Sequence, residues 1–212
     1  MKIITLLGEL EVKLFYLCAL IVVTLSASSQ EALNAYKSQN YKEAFRLYSQ
    51  AAKSGDKDAQ NALSYLYFNG LGTQKDNNKG LQWLEKAANE GSSRAALDLG
   101  IFYLTGSNVS KDLKKAAKWL EVAAEQDNSE AQYNLALMYY NGDGVKQDVK
   151  KAAALLERAA KNGHSGAKRN VGRIYMQALD FKKAKYWLRE NAKDGDKEAA
   201  LLLKEIEAAH KE

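Results

Sequence analysis

The chain has 212 residues, of which 46% are hydrophobic and 27% are charged, and it contains no proline. This composition excludes an intrinsically disordered chain and favours helices joined by turns of Gly, Asn and Asp. The formal net charge of +5 is spread along the sequence rather than gathered in a Lys/Arg block, so we expect no nucleic-acid partner.

The first 28 residues differ in kind from the rest of the chain. Leu14 to Leu25 is apolar apart from Thr24, follows Lys13 and precedes a run of small residues over 26–29. A cation, a short apolar run and small residues are typical of a secretory signal peptide, whereas a membrane-spanning helix needs about 20 apolar residues. We therefore predict a signal peptide over residues 1–28, no transmembrane span in the mature chain, and a periplasmic or extracellular location.

Two details of this segment bear on the mature protein. Glu9 and Glu11 are unusual before a signal-peptide core, so we expect residues 1–11 to be a mis-assigned start, with translation beginning at Val12. The single cysteine, Cys18, lies inside the apolar run and would leave with it, while Leu17 disfavours its lipidation. The mature chain is then exported without any disulfide.

From residue 30 onward the sequence repeats itself. The step is 36 residues in several series: Ala59, Ala95, Ala131 and Ala167; Tyr67, Tyr103, Tyr139 and Tyr175; Trp83 and Trp119. A fixed period of this length is typical of solenoid arrays, in which every repeat is one supersecondary element. The repeats divide the chain at 30–57, 58–93, 94–129, 130–165 and 166–196, followed by a capping helix at 197–209.

Each repeat predicts two helices joined by a turn. In the second repeat, apolar residues at 59, 62, 63, 66 and 67 have helical spacing, and a glycine-containing loop follows at 69–75. Asp76 is a predicted N-cap that stabilises the second helix by about 1 kcal/mol, and Gly91 is a predicted left-handed residue at its end. The matching N-cap places hold Asn40, Asp112, Asp148 and Asp180, and the matching glycine places hold Gly55, Asp127 and Gly163.

These patterns resemble the Sel-one-like repeat, a relative of the tetratricopeptide repeat. The shared motif reads Ala-x-x-x-Leu-(Gly)-x-x-Tyr-x-x-Gly-x-Gly, then Asp-x-x-Lys-Ala and Trp-Leu-x-x-Ala-Ala-x-x-Gly, and the resemblance covers residues 30–209. It implies an all-α fold: a right-handed α/α superhelix, or solenoid, of about five helix pairs with a C-terminal capping helix. It also implies an adaptor or scaffold that binds a protein or peptide in the bacterial cell envelope or outside the cell.

The sequence shows no catalytic constellation, and we expect no enzyme activity, cofactor or metal. His164 and His210 are the only histidines, and no nucleophile-elbow, zinc-protease or phosphate-loop motif occurs. We interpret His164 as a polar turn residue or a cation near a helix C-terminus. The alternative function, a hydrolase of the β-lactamase or cell-wall type, follows only from resemblance to cysteine-rich relatives, whose disulfides the mature chain lacks.

The predicted partner surface lies on the first helix of each repeat, which the tetratricopeptide resemblance implies to line the concave side. Its exposed positions fall two residues before and two after the recurring leucine, and each pair shares one helix face. These residues are Asn61, Tyr65, Leu97, Ile101, Tyr133, Leu137, Arg169 and Arg173. The surface would be aromatic and aliphatic in the middle and cationic at its C-terminal end. The alternative is that Leu97, Ile101 and Leu137 belong to the core between closely coiled helices.

We predict that export removes the N-terminus near Ala27 or Ser28, because small residues follow the short apolar run there. Intact-mass analysis of the protein from an envelope fraction measures the cleavage site. A mature chain that still contains Leu14 to Leu25 would indicate an anchored protein instead.

Overall fold

The computed structural model describes residues 29–209, and these residues form eleven helices and no strand. The signal-peptide cleavage site, the expected start at Val12, Cys18 and His210 lie outside the described residues. The first helix, α1, is described over residues 29–37. The others are α2 (Tyr41–Lys53), α3 (Lys57–Asn69), α4 (Asn77–Asn89), α5 (Ser93–Thr105), α6 (Leu113–Glu125), α7 (Ser129–Asn141), α8 (Val149–Lys161), α9 (Ser165–Gln177), α10 (Phe181–Lys193) and α11 (Lys197–Ala209).

The chain forms two compact parts, an N-terminal part that ends at Gly91 and a C-terminal part that begins at Ser92. The N-terminal part holds α1 to α4, and α3 packs on both α2 and α4. In the C-terminal part, consecutive helices pack against each other from α5 through to α11. The predicted fold class, an all-α array of helix pairs that ends in a single helix, is confirmed.

The predicted helix ends are confirmed at both termini. The carboxylate of Asp76 accepts the backbone N–H of Lys79 at 2.9 Å, which satisfies one free donor of the first turn. The same cap is made by Asn40, Asp112, Asp148 and Asp180. At the other end Gly91 has a φ of +89°, and Asp127, in the matching place, has a φ of +57°. Asp is among the few L-residues that adopt the left-handed region at moderate cost.

The core of each repeat is formed by leucines on both helices and by small residues where the helices cross. Fully buried are Leu63, Leu99, Leu135 and Val171 on the first helices, and Leu84, Leu120, Leu156 and Leu188 on the second. At Gly100 an added Cβ would lie 2.6 Å from the side chain of Leu120, and at Gly172 it would lie 2.9 Å from that of Leu188. The helices of these pairs approach too closely for a larger residue.

In the second to fifth repeats, the turn between the two helices is held by one tyrosine, one aspartate and one lysine. In the fourth repeat, the N–H of Asp148 donates to the carbonyl oxygen of Tyr139 at 2.9 Å. The Asp148 carboxylate accepts the N–H of Lys151, whose ammonium lies 4.1 Å from the centre of the Tyr139 ring. The same ammonium donates a hydrogen bond to the Tyr139 hydroxyl at 2.6 Å, and both contacts hold the lysine on the tyrosine across the turn. The equivalent lysine-to-ring distances are 5.8 Å for Lys79, 5.1 Å for Lys115 and 4.9 Å for Lys183.

Gly144 is, like Gly72, a glycine of the longer turns that no larger residue can replace without a clash with the backbone. Gly144 has a φ of +68°, and an added Cβ would lie 2.4 Å from the carbonyl carbon and oxygen of Leu113. The turn after α7 therefore rests directly on the first residue of α6. Gly163 also has a positive φ, +87°, but an added Cβ there would meet nothing within 4 Å.

We expect the substitution of alanine to destabilise the protein by different amounts at Gly163 and at Gly144. Gly163→Ala should lower the free energy of unfolding by about 1–2 kcal/mol, which is the cost of a left-handed L-residue. Gly144→Ala should cost about 1–3 kcal/mol more, because it also forces the turn away from Leu113. Urea unfolding followed by circular dichroism measures both. Equal midpoints for the two variants would contradict the close approach.

Candidate functional site

The two predicted partner residues of the N-terminal part lie on α3. Tyr65 is 50% exposed, and its ring meets the ring of Tyr36 on α1 edge-on, with 6.2 Å between the ring centres. A hydrogen bond with Tyr65 raises the pKa of Tyr36. Asn61 is half-buried, and its carbonyl oxygen accepts the hydroxyl of Ser64. On α3, the exposed part of the predicted surface is thus the tyrosine.

In the C-terminal part, the predicted apolar residues lie at the surface of α5 and α7. Leu97, Ile101 and Tyr133 are half-buried, and Leu137 is 38% exposed. Leu99, two residues from both Leu97 and Ile101, is fully buried. The helical period therefore separates a core face from a face that is covered only in part. That this second face binds a partner stays a prediction.

Tyr133 is held in place by His164. Their rings stack with 4.2 Å between centres and an angle of 17°. His164 is the N-cap of α9: its Nδ1 accepts the N–H of Ala167 at 3.0 Å, so the ring proton is on Nε2, which donates to Glu130 at 3.2 Å. The interpretation of His164 as a polar turn residue is confirmed, and in that turn the residue acts as the N-cap of α9.

The capping role of His164 was not predicted from the sequence, although the register of the repeats contains a signal for it. His164 follows Ser92 and Asn128 at the 36-residue step, and both of those residues also cap first helices. A histidine at an N-cap position is placed to accept a hydrogen bond from a backbone N–H of the first helical turn. Its ring is also large enough to support a neighbouring aromatic side chain.

The two predicted arginines differ in their surroundings. Arg173 forms two hydrogen bonds to the Glu198 carboxylate, at 3.2 and 2.6 Å, and its nearest distance to the Asp196 carboxylate is 3.7 Å. It therefore ties α9 to α11. Arg169 is exposed, and its guanidinium has no ion pair within residues 29–209. The cationic end of the surface consists of Arg169 alone, because the charge of Arg173 is already compensated.

The strongest coupling of charges in the described part of the chain lies away from this surface. The Glu157 carboxylate of α8 accepts hydrogen bonds from Lys161 and Lys183, both at 2.8 Å, and from the Tyr175 hydroxyl. Partial burial opposes ionisation, but these hydrogen bonds outweigh it and lower the pKa of Glu157 to about 2. Burial and the bond to Glu157 raise the pKa of Tyr175 to about 12. The cluster joins α8, α9 and α10 and is structural.

Two further observations limit the chemistry of residues 29–209. No three His, Cys, Asp or Glu side chains of this range are placed to hold a metal ion together. The helices of this range also lack any segment that is long and apolar enough to cross a bilayer.

Helix pairs in a fixed register, each with a partly exposed face on its first helix, define an α-helical repeat protein of the tetratricopeptide-like class. Sel1 repeats match at residues 35–56, 57–92, 93–128, 129–164 and 167–196, and the chain belongs to the Sel1 repeat family. Sel1 repeats generally mediate protein interactions, and proteins of this family are generally non-enzymatic scaffolds.

Solved structures of two family members resemble this fold. A Sel1 repeat protein from Oxalobacter formigenes is 31% identical, with a TM-score of 0.72 over 82% of this chain and 74% of that protein. A protective antigen of uropathogenic Escherichia coli with the SLR fold is 26% identical, also with a TM-score of 0.72, over 86% of this chain. This chain spans 41% of the length of that antigen. No curated protein matches the chain significantly.

The lowered pKa of Glu157 predicts a pH dependence of stability. A carboxylate whose pKa lies below its ordinary value of about 4.5 contributes stability above that value and loses it as the pH falls toward about 2. Glu157→Gln should lower the free energy of unfolding at pH 7 by about 1–3 kcal/mol, with a smaller difference from wild type near pH 2. Urea unfolding at a series of pH values measures this window.

Glu121→Gln is the matched control, since Glu121 holds the same place one repeat earlier. Its side chain is 48% exposed and pairs with Lys151 at 3.3 Å. We expect a change within about 0.5 kcal/mol at every pH, as for other exposed pairs. A Glu157 variant that followed the wild-type pH curve at a constant offset would show that the cluster does not titrate as described.

Proposed function

We propose that this chain is an exported bacterial adaptor that binds a protein or peptide in the cell envelope or outside the cell. The partner would dock on the exposed face of the first helices. One observation carries the proposal: Leu97, Ile101, Tyr133 and Leu137 stay at least partly exposed in consecutive first helices, in a register whose neighbours are buried. Contiguous apolar surface of this kind favours association.

Tyr133 is the natural anchor of such an interface. Its stacking on His164 fixes the ring before a partner arrives, so little side-chain entropy is lost on binding. Aromatic side chains that are held in this way frequently dominate binding energy. Arg169, with its uncompensated guanidinium, favours a carboxylate on the partner, whereas Arg173 is already engaged by Glu198.

Export is supported by the short apolar run and small residues of the N-terminal segment. The similar protein of uropathogenic E. coli is a protective antigen, which we take as further support for export. Nothing in residues 29–209 favours the hydrolase alternative, since no metal-binding group is assembled there and the only cysteine of the sequence is Cys18.

Capture from envelope extract, with the mature chain as bait, tests the proposed surface. Tyr133→Ala should weaken capture by about 2 kcal/mol or more, which is roughly a 30-fold loss of affinity. Arg169→Ala should weaken it by a smaller factor, because this charge lies at the rim. Circular dichroism melts identify any loss that comes from unfolding.

Tyr186→Ala is the matched control for the aromatic residue. Tyr186 is 56% exposed and lies on α10, a second helix that does not belong to the proposed surface. We expect this variant to capture the partner as wild type does. If Tyr133→Ala and Arg169→Ala both captured the partner normally, the first-helix face would not be the interface.

A further inference from the structure

The turn between α9 and α10 carries a leucine that packing does not explain. Leu179 is 74% exposed, and its φ is +61°, in the left-handed region that L-residues other than Asn and Asp rarely adopt. The equivalent turn between α1 and α2 has a polar residue, Gln39, with a φ of +60°. An apolar side chain that is both strained and solvated contributes little to folding. The left-handed backbone ends α9, as it ends α1, but the helix end does not explain why an exposed leucine occupies that place.

Leu179 lines an open cleft of about 620 Å³. Its apolar wall is completed by Ala178 of the same turn, by Phe181 at the start of α10 and by Ala154 of α8. A cleft of this size accommodates one or two side chains of a partner. Lys150 and Lys182 lie at its rim, and both are exposed.

The charges around this cleft leave a net positive rim. Asp180 lines it too, but its carboxylate caps the N–H of Lys183 at 3.1 Å, and the Lys183 ammonium is held by Glu157 at 2.8 Å. Lys150 and Lys182 have no ion pair within the described residues. Both lie in the first turn of their helices, where the helix dipole disfavours a cation. An anionic partner would relieve that repulsion at both helices.

The same edge continues into the preceding repeats of the C-terminal part. The turn that carries Lys146 rests on Leu113, since an added Cβ at Gly144 would lie 2.4 Å from the Leu113 carbonyl group. Lys114 is the next residue of α6, at the place that Lys150 holds one repeat later. Lys146 lines a second open cleft of about 620 Å³ with Val145. We name this row the lysine edge: Lys114, Lys146, Lys150 and Lys182.

We propose that the lysine edge binds an acidic segment of a partner protein, which inserts an apolar side chain beside Leu179. Spaced carboxylates on a peptide pair with separated lysines and leave room for Asp148 and Asp180 at the clefts. A dense array of phosphates would meet those two carboxylates directly, and a flat lipid surface would leave the clefts unfilled. This site is separate from the first-helix face and does not rest on the proposed function.

A fluorescein-labelled peptide of repeated Glu-Glu-Leu triplets is the probe, and fluorescence anisotropy with the purified chain is the measurement. We expect the double variant K150Q/K182Q to bind it about tenfold more weakly at low salt. The matched control is K197Q/K204Q, which removes the same charge from exposed lysines of α11. It should bind within about twofold of wild type, as expected for charges remote from the site. Equal loss in both variants, or no binding by wild type, would overturn the proposal.

Leu179→Asn tests the apolar part of the site. Asn tolerates the left-handed conformation, so the melting temperature should stay the same or rise, while binding of the probe falls. Wild-type binding by this variant would overturn the role of the cleft. Tyr133→Ala should bind the probe normally, which separates this site from the first-helix face. Lysine-dependent binding to phosphatidylglycerol vesicles or duplex DNA that is tighter than binding to the peptide would also overturn the proposal.

Discussion

The repeat architecture depends on one constraint, which is that the helices have a fixed length. Each of the ten helices from α2 to α11 has 13 residues. A side-chain cap such as Asp76 sets the start, and a left-handed residue such as Gly91 at or just beyond the last turn stops the helix from extending. Because the length does not vary, residues in the same register point the same way in successive repeats.

Because of this constraint, residues that recur along the sequence lie on common surfaces of the folded array. Leu97 and Tyr133 are 36 residues apart in the sequence, yet both belong to the partly exposed face of a first helix. Lys150 and Lys182 lie in different repeats and still line one cleft. Each candidate binding surface of this protein is therefore assembled from residues of more than one repeat, and no single repeat contains a complete surface.

The sequence predicts the local features well, because they depend on one repeat at a time. The caps at Asp112 and Asp148 and the left-handed Asp127 follow from residue type and register. Features that depend on contacts between two repeats cannot be predicted in this way. Arg173 was predicted as a free cation, but its partner Glu198 lies one repeat later, and only the packed structure brings the two together. The lysine edge was not predicted for the same reason, since its four lysines do not form a block in the sequence.

The turn that lines the cleft beside Leu179 is four residues shorter than the turn of the preceding repeat. In the fourth repeat, the seven residues between α7 and α8 reach back and rest on the start of α6. Between α9 and α10 only three residues remain, Ala178, Leu179 and Asp180, and Lys150 and Ala154 of α8 line an open cleft with them. The step from Tyr175 to its counterpart Glu207 is accordingly 32 residues instead of 36. An array of near-identical repeats can therefore change which residues line a cleft by changing the length of a single turn.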